Sequence, residues 1–217
     1  METSAITGSS TVWIHSTAIV EKDVRIGPAT KIWDNVHLRQ GVQIAAECIV
    51  GEKTYIASGV RIGNRVKINA FVYICSGVTL EDGVMISAGV IFTNDRYPRA
   101  TTPDLRRLRP SEPDENTLTT RVRESATIGA GSTVGCDLVV GRFAMIGMGS
   151  VVTKSVPDFT LALGTPARNV GYVCRCGQRL LRFDHQLTPS AAELVCGVCG
   201  RSYHLTSGMV TEPVSNS

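Results

Sequence analysis

The feature that most limits what this chain can become is a spacing of six. From Ile14, every sixth residue is bulky and apolar: Ile14, Val20, Ile26, Ile32, Leu38, Ile44, Val50, Ile56, Ile62, Ile68, Ile74, Leu80, Ile86 and Phe92. The series resumes at Val122 and runs through Ile128, Val134, Val140, Ile146 and Val152. Four positions after each, the complete hexads carry Val, Thr, Ala, Ser or Cys, with Leu138 the exception. A helix repeats its apolar stripe every ~3.6 residues and a simple strand every ~2, so neither yields this period. Short strands joined by corners do, if three hexads close one triangular coil of about 18 residues that pairs with the next through parallel ladders. The chain therefore reads as an all-β solenoid of nearly seven coils, a column roughly 30 Å tall at ~4.8 Å per coil. The period leaves the handedness of the winding open.

The 21 glycines and only 6% aromatic residues suit a fold with many tight corners and no large aromatic core. At 217 residues there is room for one sizeable domain and a small appendage. A net charge of +3 is too small to indicate nucleic-acid binding. No basic leader precedes an apolar stretch, and no window approaches the ~20 apolar residues of a membrane span, so a soluble cytoplasmic protein without membrane insertion is expected. Seven cysteines, four of them crowded between Cys174 and Cys199, indicate a local metal site and otherwise reduced thiols. The expected divisions are a flexible arm over 1–12, the solenoid over 13–170 with an inserted loop at 93–121, a zinc-ribbon-like module over 171–206, and a flexible tail over 207–217.

The loop breaks the register with several prolines, which do not fit a central ladder. Arg96, Arg99, Arg106, Arg107 and Arg109 make it basic. It is either a solvated excursion or an arm that helps bind an anionic ligand, within one chain or across a subunit boundary. Beyond the solenoid, Cys174-Arg-Cys176-Gly and Cys196-Gly-Val-Cys199-Gly form two glycine-followed pairs. Four thiolates suit a tetrahedral, structural zinc, since no ligand position is left open for chemistry. The first pair is one residue tighter than usual. His185 and His204 stand as substitute ligands, and an unmetallated hairpin is the alternative.

The end of the prism, Ile146-Gly147-Met148-Gly149-Ser150-Val151-Val152-Thr153-Lys154 followed by Gly164-Thr165-Pro166-Ala167-Arg168, resembles the hexapeptide-repeat acyltransferases. That resemblance implies a left-handed parallel β-helix, a homotrimer and acetyl-CoA as co-substrate. Phe92-Thr93-Asn94-Asp95-Arg96-Tyr97-Pro98-Arg99 is similar, more narrowly, to the sugar-nucleotide 3-N-acetyltransferases, which acetylate UDP- or dTDP-linked 3-amino sugars for surface polysaccharides such as lipopolysaccharide O-antigen. Ser87-Ala88-Gly89 stands where that family usually has Gly-Pro-Asn, which leaves the acceptor sugar open. By position, the resemblance implies that Ala130 and Met148 touch the pantetheine arm and that Thr153, Lys154 and Arg168 lie near the nucleotide end of coenzyme A. Lys154 and Arg168 are suitable cations for phosphate.

The residue inventory favours an amine acceptor. None of the four histidines, His15, His37, His185 and His204, falls in the loop. An alcohol must shed a proton of pKa on the order of 15, whereas an amine near ~8 is already partly neutral at pH 7.5. Asn94 is the candidate to orient the acceptor and Asp95 to hold or polarise its amine, though both are also common turn residues. Arg96, Tyr97 and Arg99 are candidate contacts for a diphosphate or a sugar carboxylate. Trp33 either stacks on a base or packs a subunit interface. Rival readings are an O-acetyltransferase, for which no base is evident, and a non-catalytic scaffold. A carbonic anhydrase on the same prism would need three coil histidines, and only His15 and His37 lie there.

Overall fold

The computed structural model of the protein describes residues 11–114, 117–183 and 191–213. Among them every regular element is a strand, and most strands are two residues long. Three parallel sheets form the faces of a prism. The first face begins at Trp13–Ile14 and rises through Lys31–Ile32, Ile49–Val50, Lys67–Ile68, Met85–Ile86, Thr127–Ile128 and Met145–Ile146 to Thr160–Gly164. The second runs from Ile19–Val20 to Val151–Val152, and the third from Arg25–Ile26 to Leu138–Val140. Partners sit one 18-residue coil apart, as in Lys67 opposite Met85 and Tyr55 opposite Tyr73. The expected fold, a parallel β-helix of hexapeptide coils, is the fold observed, in keeping with the left-handed form.

The corners explain which residues occupy the remaining hexad positions. Asp23, Ala29, Asn35, Glu47, Lys53, Arg65, Phe71, Ser125, Asp137 and Phe143 have φ between 53° and 60°, and Gly41, Gly59, Gly77, Gly83, Gly89, Gly131 and Gly149 have φ between 65° and 85°. These fall every sixth residue, immediately before the small inward side chain. Each turns the chain through the left-handed region, which is why glycine recurs there.

From the second coil upward the large inward residues stack without exposure, with Ile32, Leu38, Ile56, Ile74, Ile86, Phe92 and Ile128 each 0% exposed, whereas Ile14 and Val20 of the first coil are exposed. Where the small inward residue is polar, its hydroxyl bridges coils. Thr30 Oγ1 donates to the Ala45 carbonyl at 2.9 Å and accepts from the Cys48 amide at 3.1 Å. Ser132 Oγ repeats the pattern with Gly147 and Ser150, at 3.0 and 3.3 Å. No buried hydroxyl of this set is left unsatisfied, as burial requires. Because the stack is close-packed, Ile128→Ala is expected to cost about 2–5 kcal/mol in urea unfolding, while Thr127→Ala on the outer surface stays within about 0.5 kcal/mol. Equal losses at the two sites would contradict this inside–outside assignment.

The last strand of the first face, Thr160–Gly164, turns back antiparallel into Ala167–Val173, which pairs with Arg179–Arg182. A separate sheet follows, Ala191–Val195, Ser202–Thr206 and Met209–Thr211. A second core of Phe143, Phe159, Tyr172, Tyr203, Leu205 and Val210 joins this module to the prism. The module extends past the boundary at residue 206 expected from sequence. Met209–Thr211 pairs with Ser202–Thr206, and Val210 is buried against the second core, so this part of the expected flexible tail is ordered. Residues 1–10 and 214–217, parts of the expected arm and tail, lie outside the described residues, as does His185.

Candidate active site and cysteine centre

The excursion leaves the second face after Phe92 and rejoins the third at Thr120. Its two ends are tied at one point. The Leu118 amide donates to the Asn94 carbonyl at 3.4 Å, the Asn94 side-chain amide donates to the Ser76 carbonyl at 3.3 Å, and the Thr120 amide donates to Gly77 at 3.1 Å. Within the loop, Thr101 bridges Leu108, with Thr102 N donating to Arg107 O at 2.9 Å and Arg109 N to Ala100 O at 3.0 Å. The loop thereby walls a groove of about 810 Å³ against the edge between the second and third faces. Arg39, Tyr55, Ser58, Tyr73, Cys75 and Ser76 line the coil side, and Asn94, Asp95, Arg96, Tyr97 and Arg109–Asp114 line the loop side.

The charges in the groove are largely engaged. Asp95 Oδ1 accepts from the Tyr97 amide at 2.8 Å, and its other oxygen lies 3.8 Å from Arg109. Arg96 pairs with Asp137 at 2.9 Å. Burial pushes the Cys75 thiol up to about 12 and raises the Tyr73 phenol, so neither supplies an anion near neutral pH. On the coil side, Arg39 Nε lies 2.7 Å from Glu21, and Arg39 Nη1 donates to the Tyr55 hydroxyl at 2.6 Å. Although burial works to raise the Glu21 pKa, the His37 hydrogen bond, the Arg39 guanidinium and the Gln40 amide hold it below the usual carboxylate range. His37, Tyr55 and Tyr73 form a column, with ring centroids 5.3 Å apart at each step and the two tyrosines within 6° of parallel.

Of the residues singled out from sequence, Asn94, Asp95, Arg96 and Tyr97 meet in this groove. Arg99 donates to its neighbour's carbonyl, Pro98 O, at 3.0 Å and does not line it. Trp33 packs edge-on against Trp13 at 5.2 Å, near the first coil. Ala130 and Met148 stand one coil apart on the edge between the first and second faces, where the Gly149 amide donates to the Ala130 carbonyl at 2.8 Å. Thr153 and Lys154 lie exposed on the opposite edge of the second face, the edge that carries the groove. Arg168, on Ala167–Val173, is exposed and donates to the Ala167 carbonyl at 3.0 Å. The sequence reading missed Arg39, Tyr55 and Tyr73. Their outward hexad positions carry no period of their own. The only available signal was two tyrosines and a histidine spaced by 18.

The four cysteines of the appended module converge. Their sulfurs all lie within 4.8 Å of one another, with Cys174–Cys199 at 3.4 Å and Cys176–Cys196 at 3.7 Å. A tetrahedral site with metal–sulfur bonds of ~2.3 Å needs sulfurs ~3.8 Å apart, so the set fits such an ion. The amides of Cys199 and Val198 pull the Cys196 pKa down to about 6, whereas, against the pull of the Gln178 amide, desolvation and the sulfurs of Cys174, Cys196 and Cys199 push the Cys176 thiol up to about 12, so the sulfurs share protons until a metal displaces them. The Arg175 amide donates to the Tyr203 hydroxyl oxygen at 3.0 Å, freeing that hydroxyl to donate to Cys174 sulfur, also at 3.0 Å. His204 is exposed and outside the cluster.

Comparison with known proteins agrees with the fold first. Residues 59–94 match the family model described as bacterial transferase hexapeptide (six repeats). The chain is also 42% identical over 93 residues to a dTDP-3-amino-3,6-dideoxy-alpha-D-galactopyranose 3-N-acetyltransferase of Aneurinibacillus thermoaerophilus, covering 43% of this chain and 44% of that protein. A serine acetyltransferase of Escherichia coli (strain K12) is 51% identical over 51 residues, 24% of this chain and 19% of that one. The matches thus span less than half of these relatives. Among solved structures, the acetyltransferase domain of PglB from Neisseria gonorrhoeae FA1090 in complex with acetyl coenzyme A is 19% identical, with a TM-score of 0.47 over 75% of this chain and 58% of that one. The D94N mutant of AntD, an N-acyltransferase from Bacillus cereus in complex with dTDP and coenzyme A, is 20% identical, with a TM-score of 0.46 over 76% and 82%.

Proposed function

We propose that this chain transfers an acetyl group from acetyl-CoA to the 3-amino group of a nucleotide-linked amino sugar. One observation carries the reading. Asn94 and Asp95 sit in a groove on the same prism edge as Thr153 and Lys154, two coils away, or roughly 10 Å at ~4.8 Å per coil. An acetyl donor held at the end of the prism can therefore extend along that edge to an acceptor under the loop. Lys154 serves the donor's phosphates and Asn94 and Asp95 the acceptor amine, while Arg168 and the edge carrying Ala130 and Met148, on the other side of the second face, contact the phosphates and pantetheine arm of a donor shared with a neighbouring copy in the homotrimer. The relative named for a dTDP-3-amino sugar supports the acceptor class. Assembly as a homotrimer, a cytoplasmic location and a role in surface glycan synthesis belong to the same reading. The test is an assay of thiol release from acetyl-CoA with UDP- and dTDP-linked 3-amino sugars, L-serine and other hydroxyl acceptors. Release only with L-serine, as the serine acetyltransferase matches would have it, would replace an amine acceptor with a hydroxyl one.

Structural zinc at Cys174, Cys176, Cys196 and Cys199 completes the proposal. All four sulfurs come from the protein, so the ion would hold the module together and take no part in transfer. Purified protein is expected to release about one zinc per chain on thiol modification. Chelation should raise amide exchange over residues 174–204 while the prism and transfer activity persist. Metal-free protein with unchanged exchange would contradict the assignment.

A further inference from the structure

The groove has a wall that the proposed transfer does not yet use. Tyr55 and Tyr73 lie in adjacent coils, stacked 5.3 Å apart and within 6° of parallel. Tyr73 is 44% exposed and lines the groove, so part of its ring stands open to a ligand there. Arg39, one coil below Tyr55, donates from Nη1 to the Tyr55 oxygen at 2.6 Å and is ion-paired to Glu21, whose carboxylate lies 2.7 Å from Nε without hydrogen-bond geometry. A guanidinium only donates, so the Tyr55 oxygen accepts and its own O–H remains a donor. All three residues line the same cavity as Asn94 and Asp95. The two loop arginines that line the groove are otherwise committed: Arg96 is held by Asp137, and Arg109 lies between Asp95 and the Tyr97 carbonyl.

We infer that the Arg39–Tyr55–Tyr73 wall binds the nucleoside diphosphate portion of the acceptor, with a pyrimidine base against the tyrosine stack and a phosphate on the Arg39 Nη2 and Tyr55 hydroxyl donors. This rests on the nucleotide-sugar reading above. The chemistry matches at both ends. A flat aromatic platform holds any base by stacking, and pre-set guanidinium and phenol donors suit phosphate oxygens. Glu21 positions Arg39 and would not touch the ligand. The sugar would then extend from Tyr55 toward Asn94, so the nucleotide end is selected by the coils and the amine end by the loop.

The test is calorimetric titration of the full chain with dTDP, UDP and thymidine, in the absence of any acetyl donor. Tyr73→Ala is expected to weaken dTDP and thymidine alike, by about tenfold. Tyr73→Phe, which keeps the ring, should restore both. Arg39→Gln and Tyr55→Phe should weaken dTDP by about tenfold and leave thymidine unchanged. Chain mass in solution, measured alongside, must stay the same in every variant. Should Tyr73→Ala alter the oligomeric state while nucleotide affinity holds, the tyrosines form a subunit contact and the inference is wrong. Unaltered dTDP affinity and unaltered KM for an accepted nucleotide sugar would refute this site yet keep the transferase reading. A wild-type chain that binds no nucleotide and acetylates no nucleotide sugar would end both.

Discussion

Asn94→Ala is expected to lower turnover on a nucleotide-linked amino sugar by about 10²–10³-fold, the usual loss when one fixed hydrogen-bonding group is removed from a reacting centre. The geometry allows two separable contributions. The side-chain amide already donates to the Ser76 carbonyl at 3.3 Å, and the Asn94 backbone carbonyl accepts from Leu118 at 3.4 Å. The first bond fixes the side chain of this groove-lining residue and leaves its Oδ1 available as an acceptor. The second, through the backbone, survives replacement by alanine. Loop closure should therefore persist in the variant, with coenzyme A binding and melting temperature near wild type. The loss should fall mainly on kcat, because an oriented acceptor matters most as the amine attacks. A variant with normal kcat and raised KM would reduce Asn94 to a binding residue. One with normal values for both would remove it from the site.

Periodicity reveals what the core demands and little else. Ile32, Ile86 and Ile128 could be placed inward from sequence because a stacked interior admits only bulky apolar residues at that step. The corner glycines were visible for a comparable reason, a backbone angle that disfavours side chains. The start of the inserted loop was also legible, since Thr93 ends the hexads. Outward positions obey neither constraint. Arg25, His37, Tyr55, Arg61 and Tyr73 all occupy the same hexad position, yet only some line the groove, and the path of the loop decides which. That path depends on non-local ties such as Arg96 to Asp137, 41 residues apart. The antiparallel turn at Gly164 and the strand Met209–Thr211 were hidden because a hairpin closing a solenoid breaks its period.

Replacing the acceptor's 3-amine with a hydroxyl is expected to slow transfer by at least 10³-fold, a larger effect than any single substitution proposed above. The expectation rests on what the groove contains. Its described residues include no histidine, its thiol at Cys75 is pushed up to about 12, and Tyr73 is raised by burial. The carboxylate of Asp95 accepts from the Tyr97 amide at 2.8 Å and lies 3.8 Å from Arg109, so both of its oxygens already have partners. An alcohol of pKa on the order of 15 thus meets no strong base, whereas an amine near ~8 needs none before attack. The difference of roughly 7 units corresponds to about 10 kcal/mol, of which partial proton transfer in the transition state recovers a share. The pH profile follows with a definite sign. Only the neutral amine attacks, so kcat/KM should rise about tenfold per unit below pH ~7 and level off above ~8, at the acceptor's own pKa. The leveling point should move with the basicity of the acceptor amine and stay put when His37 is changed to glutamine, because His37 faces Glu21 outside the groove lining. A plateau that follows His37 instead, or a hydroxyl analogue that turns over within tenfold of the amine, would mean that an imidazole reaches the reaction after all.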